Sequence, residues 1–164
     1  MKNYEYCKYT CIHKKIVEFL VNKYFKDVVI KVEMERRAKN HDMDKLVNYL
    51  IYDKKVASKI HRENSSHHAN SLEKNTYDYL EMIIDWESAR YTKPDKPLNA
   101  FDTLYKHYPE LEAYILPLLI QMGLNKPNTA PESDVLEFAD KLLSETTKQD
   151  IINEINQYIT QIQR

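Results

Sequence analysis

The sequence predicts an all-α protein, and three observations carry that expectation. Glycine occurs once in 164 residues and proline six times, too few for the tight turns of a strand-rich chain, since positive-φ turn positions fall mainly to glycine. The chain is rich in Lys, Glu, Leu and Ile, a helical composition. Its apolar residues also recur at steps of three and four through most of its length. The length fits one domain, residues 1–164, with a single well-formed core.

The same glycine poverty excludes glycine-rich phosphate loops and dinucleotide fingerprints. Lys and Arg total 24 against 25 Asp and Glu, a net charge of −1, without the basic excess of a non-specific nucleic-acid binder. No apolar run reaches the roughly 18 residues that a membrane helix needs, and no apolar leader follows the start. Neither secretion nor membrane spanning is expected, and a cytoplasmic location is the default. Cys7 and Cys11, four residues apart, read as buried thiols on one helix face. The tyrosines are many but scattered, with no legible stacking platform, though aromatic helix faces leave room for a homodimer.

The first helix is expected over 9–26, with Ile12, Ile16, Phe19, Leu20 and Tyr24 on its apolar stripe. His13 sits at the stripe's edge, either pointing into a buried site or acting as a half-buried core histidine with a backbone partner. A second helix over 28–39 aligns Val28, Val32, Glu35 or Ala38, and then Asp42. It delivers His41-Asp42 at its end, with Asn40 as a cap. Adjacent helical residues diverge by about 100°, so both can reach one ion only if the helix stops there and the backbone changes.

From Leu46 to Ile60 the pattern breaks at Asp53-Lys54-Lys55 into two short helices, with His61 at the end of the second. Asn64-Ser65-Ser66 is turn chemistry, and folding there would bring His67-His68 back toward His61. The strongest helix spans 73–91, carrying Tyr77, Leu80, Ile84 and Trp86. Asp85 lies in that apolar company, costly for a carboxylate unless it binds metal or pairs with Lys45 or an arginine. Residues 92–97 read as a linker. Helices follow over 99–107, 110–123 and 132–162, the last interrupted near Glu145-Thr146-Thr147. Pro117 should kink the middle one or mark its start, Gly123 should close it, and Ser133 or Thr129 should cap the next. His107 reads as surface, and this half carries packing rather than chemistry.

Five of the six histidines, His13, His41, His61, His67 and His68, lie in the first half with Asp42 and Asp85. Imidazole nitrogens and carboxylate oxygens suit Mn²⁺, Fe²⁺ and Zn²⁺, and no thiolate joins them to favour a soft ion.

The order His13, His41-Asp42, Asp85 resembles the four-ligand H…HD…D signature of the HD-domain superfamily of metal-dependent phosphohydrolases. The step from His13 to His41 is similar to the usual gap. His41-Asp42-Met43-Asp44-Lys45 looks like the HDxGK element of the binuclear HD-GYP branch, with Asp44 in place of glycine. His61 and His67-His68 resemble that branch's further H…HH ligands. The spacing from His61 to His67 is shorter than in that branch and the GYP segment is absent, so cyclic dinucleotide hydrolysis is not implied. The resemblance covers about residues 10–90 and looks closest to a small bacterial and phage HD-like group.

It implies an HD-like helical bundle with a metal-binding core over 10–91 and a C-terminal helical extension over 99–164. His13, His41, Asp42 and Asp85 would hold a first divalent ion, and His61, His67 and His68 a second. Asp42 would bridge the two, and Lys45 would contact a phosphate oxygen. Mn, Fe, Zn, Ni and Mg are all open. The implied activity is hydrolysis of a nucleotide or other small phosphoester by a metal-activated water. Di-iron oxygen chemistry on the same scaffold, and a non-catalytic helical binding module, are the competing readings.

Overall fold

The computed structural model describes residues 2–68, 74–93 and 95–163. These form nine α-helices and one short 3-10 turn, with no strand, as the composition requires. None of these helices is long and apolar enough to cross a membrane.

Helix α1 (Tyr4–Tyr24) is the central strut. It starts earlier than the periodicity suggested because Cys7 and Cys11 are core residues, both buried and both free thiols. Helices α2 (Val28–Asn40), α3 (Met43–Ile51), α5 (Thr76–Thr92), α8 (Ser133–Glu145) and α9 (Lys148–Ile162) all pack against it. A helix buried this widely needs apolar residues on more than one face. Accordingly Ile16, Val17 and Leu20 meet Met34, Ala38, Leu80, Ile84, Val135 and Ala139. Cys7 and Cys11 instead meet Met43, Leu46, Ile151 and Ile155, together with Ala57 of α4 (Lys54–Asn64). The third cluster sets Met82 and Ile83 of α5 against Ala100 and Leu104 of α6 (Ala100–His107) and Ile115 and Leu119 of α7 (Glu112–Met122). The C-terminal helices thus complete the cores begun by the N-terminal half. The buried Lys14 ammonium joins them, donating to Glu154 on α9 at 2.6 Å.

Several local expectations need correction. The buried stripe of α2 is Ile30, Met34 and Ala38, whereas Val28 and Val32 are 75% and 62% exposed. Both stripes have helical spacing, and only packing chooses between them. Asn40 is the last residue of α2 rather than its cap, which is His41. Neither Ser133 nor Thr129 caps α8. Glu132 holds that position without a side-chain bond, while Thr129 Oγ1 is occupied by Arg90 and Asn99. Pro117 lies inside α7 and does not start it.

Other punctuation matches. Asp53 opens α4 by accepting from the Val56 N–H. Thr147 and Asp150 form a capping box that separates α9 from α8. Gly123, at φ 72°, closes α7.

Because Ile151 is fully buried against α1 and α3, Ile151→Ala is expected to cost about 2–4 kcal/mol. Urea unfolding should show the lower midpoint as one transition with an unchanged slope.

Candidate metal centre

The centre is organised by the corner between α2 and α3. His41 ends α2 at φ −58°, ψ 120°, and Asp42 follows in the left-handed region at φ 59°, ψ 10°. Asp enters that region more readily than most residues, yet it still costs about 1–2 kcal/mol. The change of backbone conformation is what turns two adjacent side chains toward one point. His13 arrives from the middle of α1 and Asp85 from the middle of α5. His61 comes from the last turn of α4, and His67 and His68 from the turn beyond it.

All seven residues singled out from the sequence come together in two adjacent groups that could each hold a metal ion. One is His13, His41, Asp42 and Asp85, and the other is Asp42, His61, His67 and His68. Within each group the ligand atoms lie within 4.8 Å of one another. In the first, His13 Nε2 is 2.7 Å and His41 Nε2 3.2 Å from Asp85 Oδ1. The two nitrogens are 3.3 Å apart, and Asp42 Oδ2 stands 3.6 Å from His41 Nε2. In the second, the other oxygen of the same carboxylate, Asp42 Oδ1, is 2.8 Å from His61 Nε2 and 3.1 Å from His67 Nε2. Atoms bound at about 2.0–2.2 Å to a shared ion would stand roughly 3–3.5 Å apart.

The donor set passes a further test. Asp42 Oδ1, His61 Nε2 and His67 Nε2 are buried and complete no hydrogen bond of acceptable geometry. Their tautomers explain why a cation suits them. His61 Nδ1 donates to Asp44 at 2.7 Å, and His41 Nδ1 donates to Glu81 at 2.8 Å. His67 Nδ1 stands 3.1 Å from Glu81 and 2.7 Å from Ser65 Oγ. A carboxylate only accepts, so these contacts favour a proton on Nδ1 of His41 and His61, which would leave their Nε2 lone pairs to ligate a cation beside Asp42 and Asp85. Lone pairs facing a carboxylate repel unless positive charge lies between them.

Electrostatics point the same way. Burial works against ionised carboxylates, but the His41 and Lys45 charges hold Asp42 well below the usual range. His13 and His41 do the same for Asp85. Burial likewise opposes a charge on His41, yet the carboxylates of Asp42, Asp85 and Glu81 raise it well above the ordinary histidine value. His67 is pushed up to about 9 against burial, by Asp42 and Glu81. His68, by contrast, is pushed down to about 3 by burial and by neighbouring His67. The centre therefore favours cationic charge beside Asp42 and Asp85.

Asp85 finds its partners in His13 and His41, not in Lys45 or an arginine. Lys45 Nζ lies 3.9 Å from Asp42 Oδ2, at the edge of the first group. Three supporting residues were not anticipated. Asp44, which stands where the HDxGK pattern has glycine, orients His61. Ser65 holds His67. Glu81 reaches a histidine of each group, and Arg37 in turn holds it at 3.3 Å. Its position one helical turn before Asp85 is the signal that could have found it. His107 is exposed and belongs to neither group of ligands. A cavity of about 260 Å³ borders the second group, with Asp42, His67 and Glu81 on one wall and Arg36, Arg37 and Asn40 on another.

Glu81→Gln is expected to weaken divalent-ion uptake about 10–100-fold, and Asp42→Ala to empty both groups. Equilibrium dialysis against Zn²⁺ or Mn²⁺ with plasma spectrometry checks both, and unchanged uptake in Asp42→Ala would refute the assignment. No protein-family model, no curated protein and no solved structure matches this chain.

Proposed function

We propose that the chain is a metal-dependent phosphohydrolase of the HD-domain type, acting on a nucleotide or another small phosphoester. The observation that carries this reading is Asp42 presenting one oxygen to each of two adjacent groups of ligands. Phosphoryl-transfer centres need such pairing, because the attacking and leaving oxygens both require charge stabilisation. Divalent ions bound there would polarise a phosphoryl oxygen and make water a competent nucleophile near neutral pH. Five imidazoles and two carboxylates favour Mn, Fe, Zn or Ni over the all-oxygen ions.

The chain's own residues supply the rest. Five neutral imidazoles add no negative charge, so the centre stays attractive to an anionic substrate. Asp44 and Glu81 fix three of the imidazoles in place. Lys45, 3.9 Å from Asp42, would bind a non-bridging phosphate oxygen and stabilise charge that grows in the transition state. Asp85 is the partly exposed member on this side: its side chain remains 20% exposed while those of His13 and His41 are buried. Two free buried thiols suit a reducing, cytoplasmic setting.

A panel of phosphomonoesters and phosphodiesters with added Mn²⁺ tests the reading. Hydrolysis should appear in the wild type and vanish in His41→Ala. Lys45→Ala should lower it about 10²–10³-fold while metal content stays full. A wild type that holds its metal yet hydrolyses no phosphoester would sink the proposal. An iron-dependent colour would then favour oxygen chemistry, and absence of any metal uptake would favour a binding module.

A further inference from the structure

We propose that Lys93 joins Lys45 to form a phosphate subsite facing Asp85, and that the group it selects is the dianion of a phosphomonoester. This deepens the phosphohydrolase reading and rests on it.

Lys93 belongs to the stretch that the sequence marks as a linker. In the structure it is the residue that caps α5, its N–H donating to Ala89 O at 2.8 Å. Its ammonium lies over the Tyr9 ring, 4.9 Å from the centroid. Tyr9 stacks in turn on the His13 ring at 5.8 Å and 11°, and His13 Nε2 touches Asp85. The cation–π contact and the stacking therefore tie Lys93, through Tyr9, to His13 of the first group. Thr92 Oγ1 donates to the Tyr9 hydroxyl at 3.5 Å, leaving the phenolic proton available to an incoming oxygen.

The two lysines sense the same charges. Burial, Lys96 and Lys45 all disfavour the Lys93 ammonium, while Asp85 and Asp42 favour it. Among the described residues, no carboxylate lies within ion-pair distance of Lys93, and the one ion-pair partner of Lys45 is Asp42 at 3.9 Å. Lys93 has no close counter-ion and Lys45 has Asp42 alone, at 3.9 Å, so an anion between these half-buried ammonium groups would stabilise both.

The cavity beside the second group offers no equivalent. There Glu33 neutralises Arg36 at 2.6 Å, and Asp78 holds Arg37 at 2.9 Å. A phosphomonoester carries about −1.5 to −2 at neutral pH, where a diester carries a single charge. Two ammonium groups, Lys93 without a close carboxylate and Lys45 with only the 3.9 Å contact to Asp42, match the former.

Calorimetric titration of the Mn²⁺-loaded protein with inorganic phosphate, and separately with dimethyl phosphate, tests the subsite. The wild type should bind phosphate more tightly than dimethyl phosphate. Lys93→Met should weaken phosphate binding roughly tenfold or more at unchanged manganese content. Lys93→Arg should retain most of the affinity, and the exposed Lys96→Met should leave it unaltered. Wild-type affinity in a fully loaded Lys93→Met, loss of manganese from that variant, or equal binding of the two probes would each overturn the subsite. In those cases hydrolysis by the wild type would leave the phosphohydrolase reading standing. A wild type that binds neither probe and hydrolyses no phosphoester would remove both.

Discussion

The structure depends on one carboxylate, Asp42, which faces two sets of imidazoles through its two oxygens. Placing it there requires the chain to leave α2 and enter α3 within two residues, and the left-handed backbone at position 42 makes that corner. Strain of this kind persists only where the surroundings over-determine it. Here Ala38 and Met34 pin the end of α2 in the core, and Met43 and Leu46 pin the start of α3. The corner is thus clamped from both sides by burial.

Around that carboxylate the charges are arranged in layers. Imidazoles surround Asp42, the carboxylates of Asp44 and Glu81 lie behind them, and Arg37 lies behind Glu81. Each layer answers the charge of the one inside it. Buried ionisable groups are tolerable only when paired in this way. Glu81 has a special place, because it steadies one histidine of each group and so ties the two halves mechanically. The scaffold contributes rigidity: α1 and α5 are long, buried helices, and His13 and Asp85 sit near their middles, where fraying is least.

The outer face of the centre is asymmetric. On the side of the second group the arginines are already neutralised by acidic neighbours. On the side of Asp85, among the described residues, Lys93 has no carboxylate within ion-pair distance and Lys45 has only Asp42 at 3.9 Å. That difference gives an approaching anion a preferred direction, and it arises from residues that belong to three separate elements, α1, α3 and the end of α5.

Much of this was legible in the sequence alone. Glycine scarcity and helical periodicity dictate an all-helical chain, and a break at Asp53 or Thr147 follows from local hydrogen bonding that needs no distant partner. The candidate ligands were legible too, because histidine and aspartate in the order His13, His41-Asp42, His61, His67-His68, Asp85 carry their chemistry in their identities. Tertiary structure alone decided which stripe of α2 turns inward, because Val28-Val32 and Met34-Ala38 have the same spacing and differ only in what they meet. It also decided what Glu81 and Lys93 stand beside. A glutamate or a lysine reads as surface in any sequence, and becomes part of a site only when folding removes its water and sets it beside a charge.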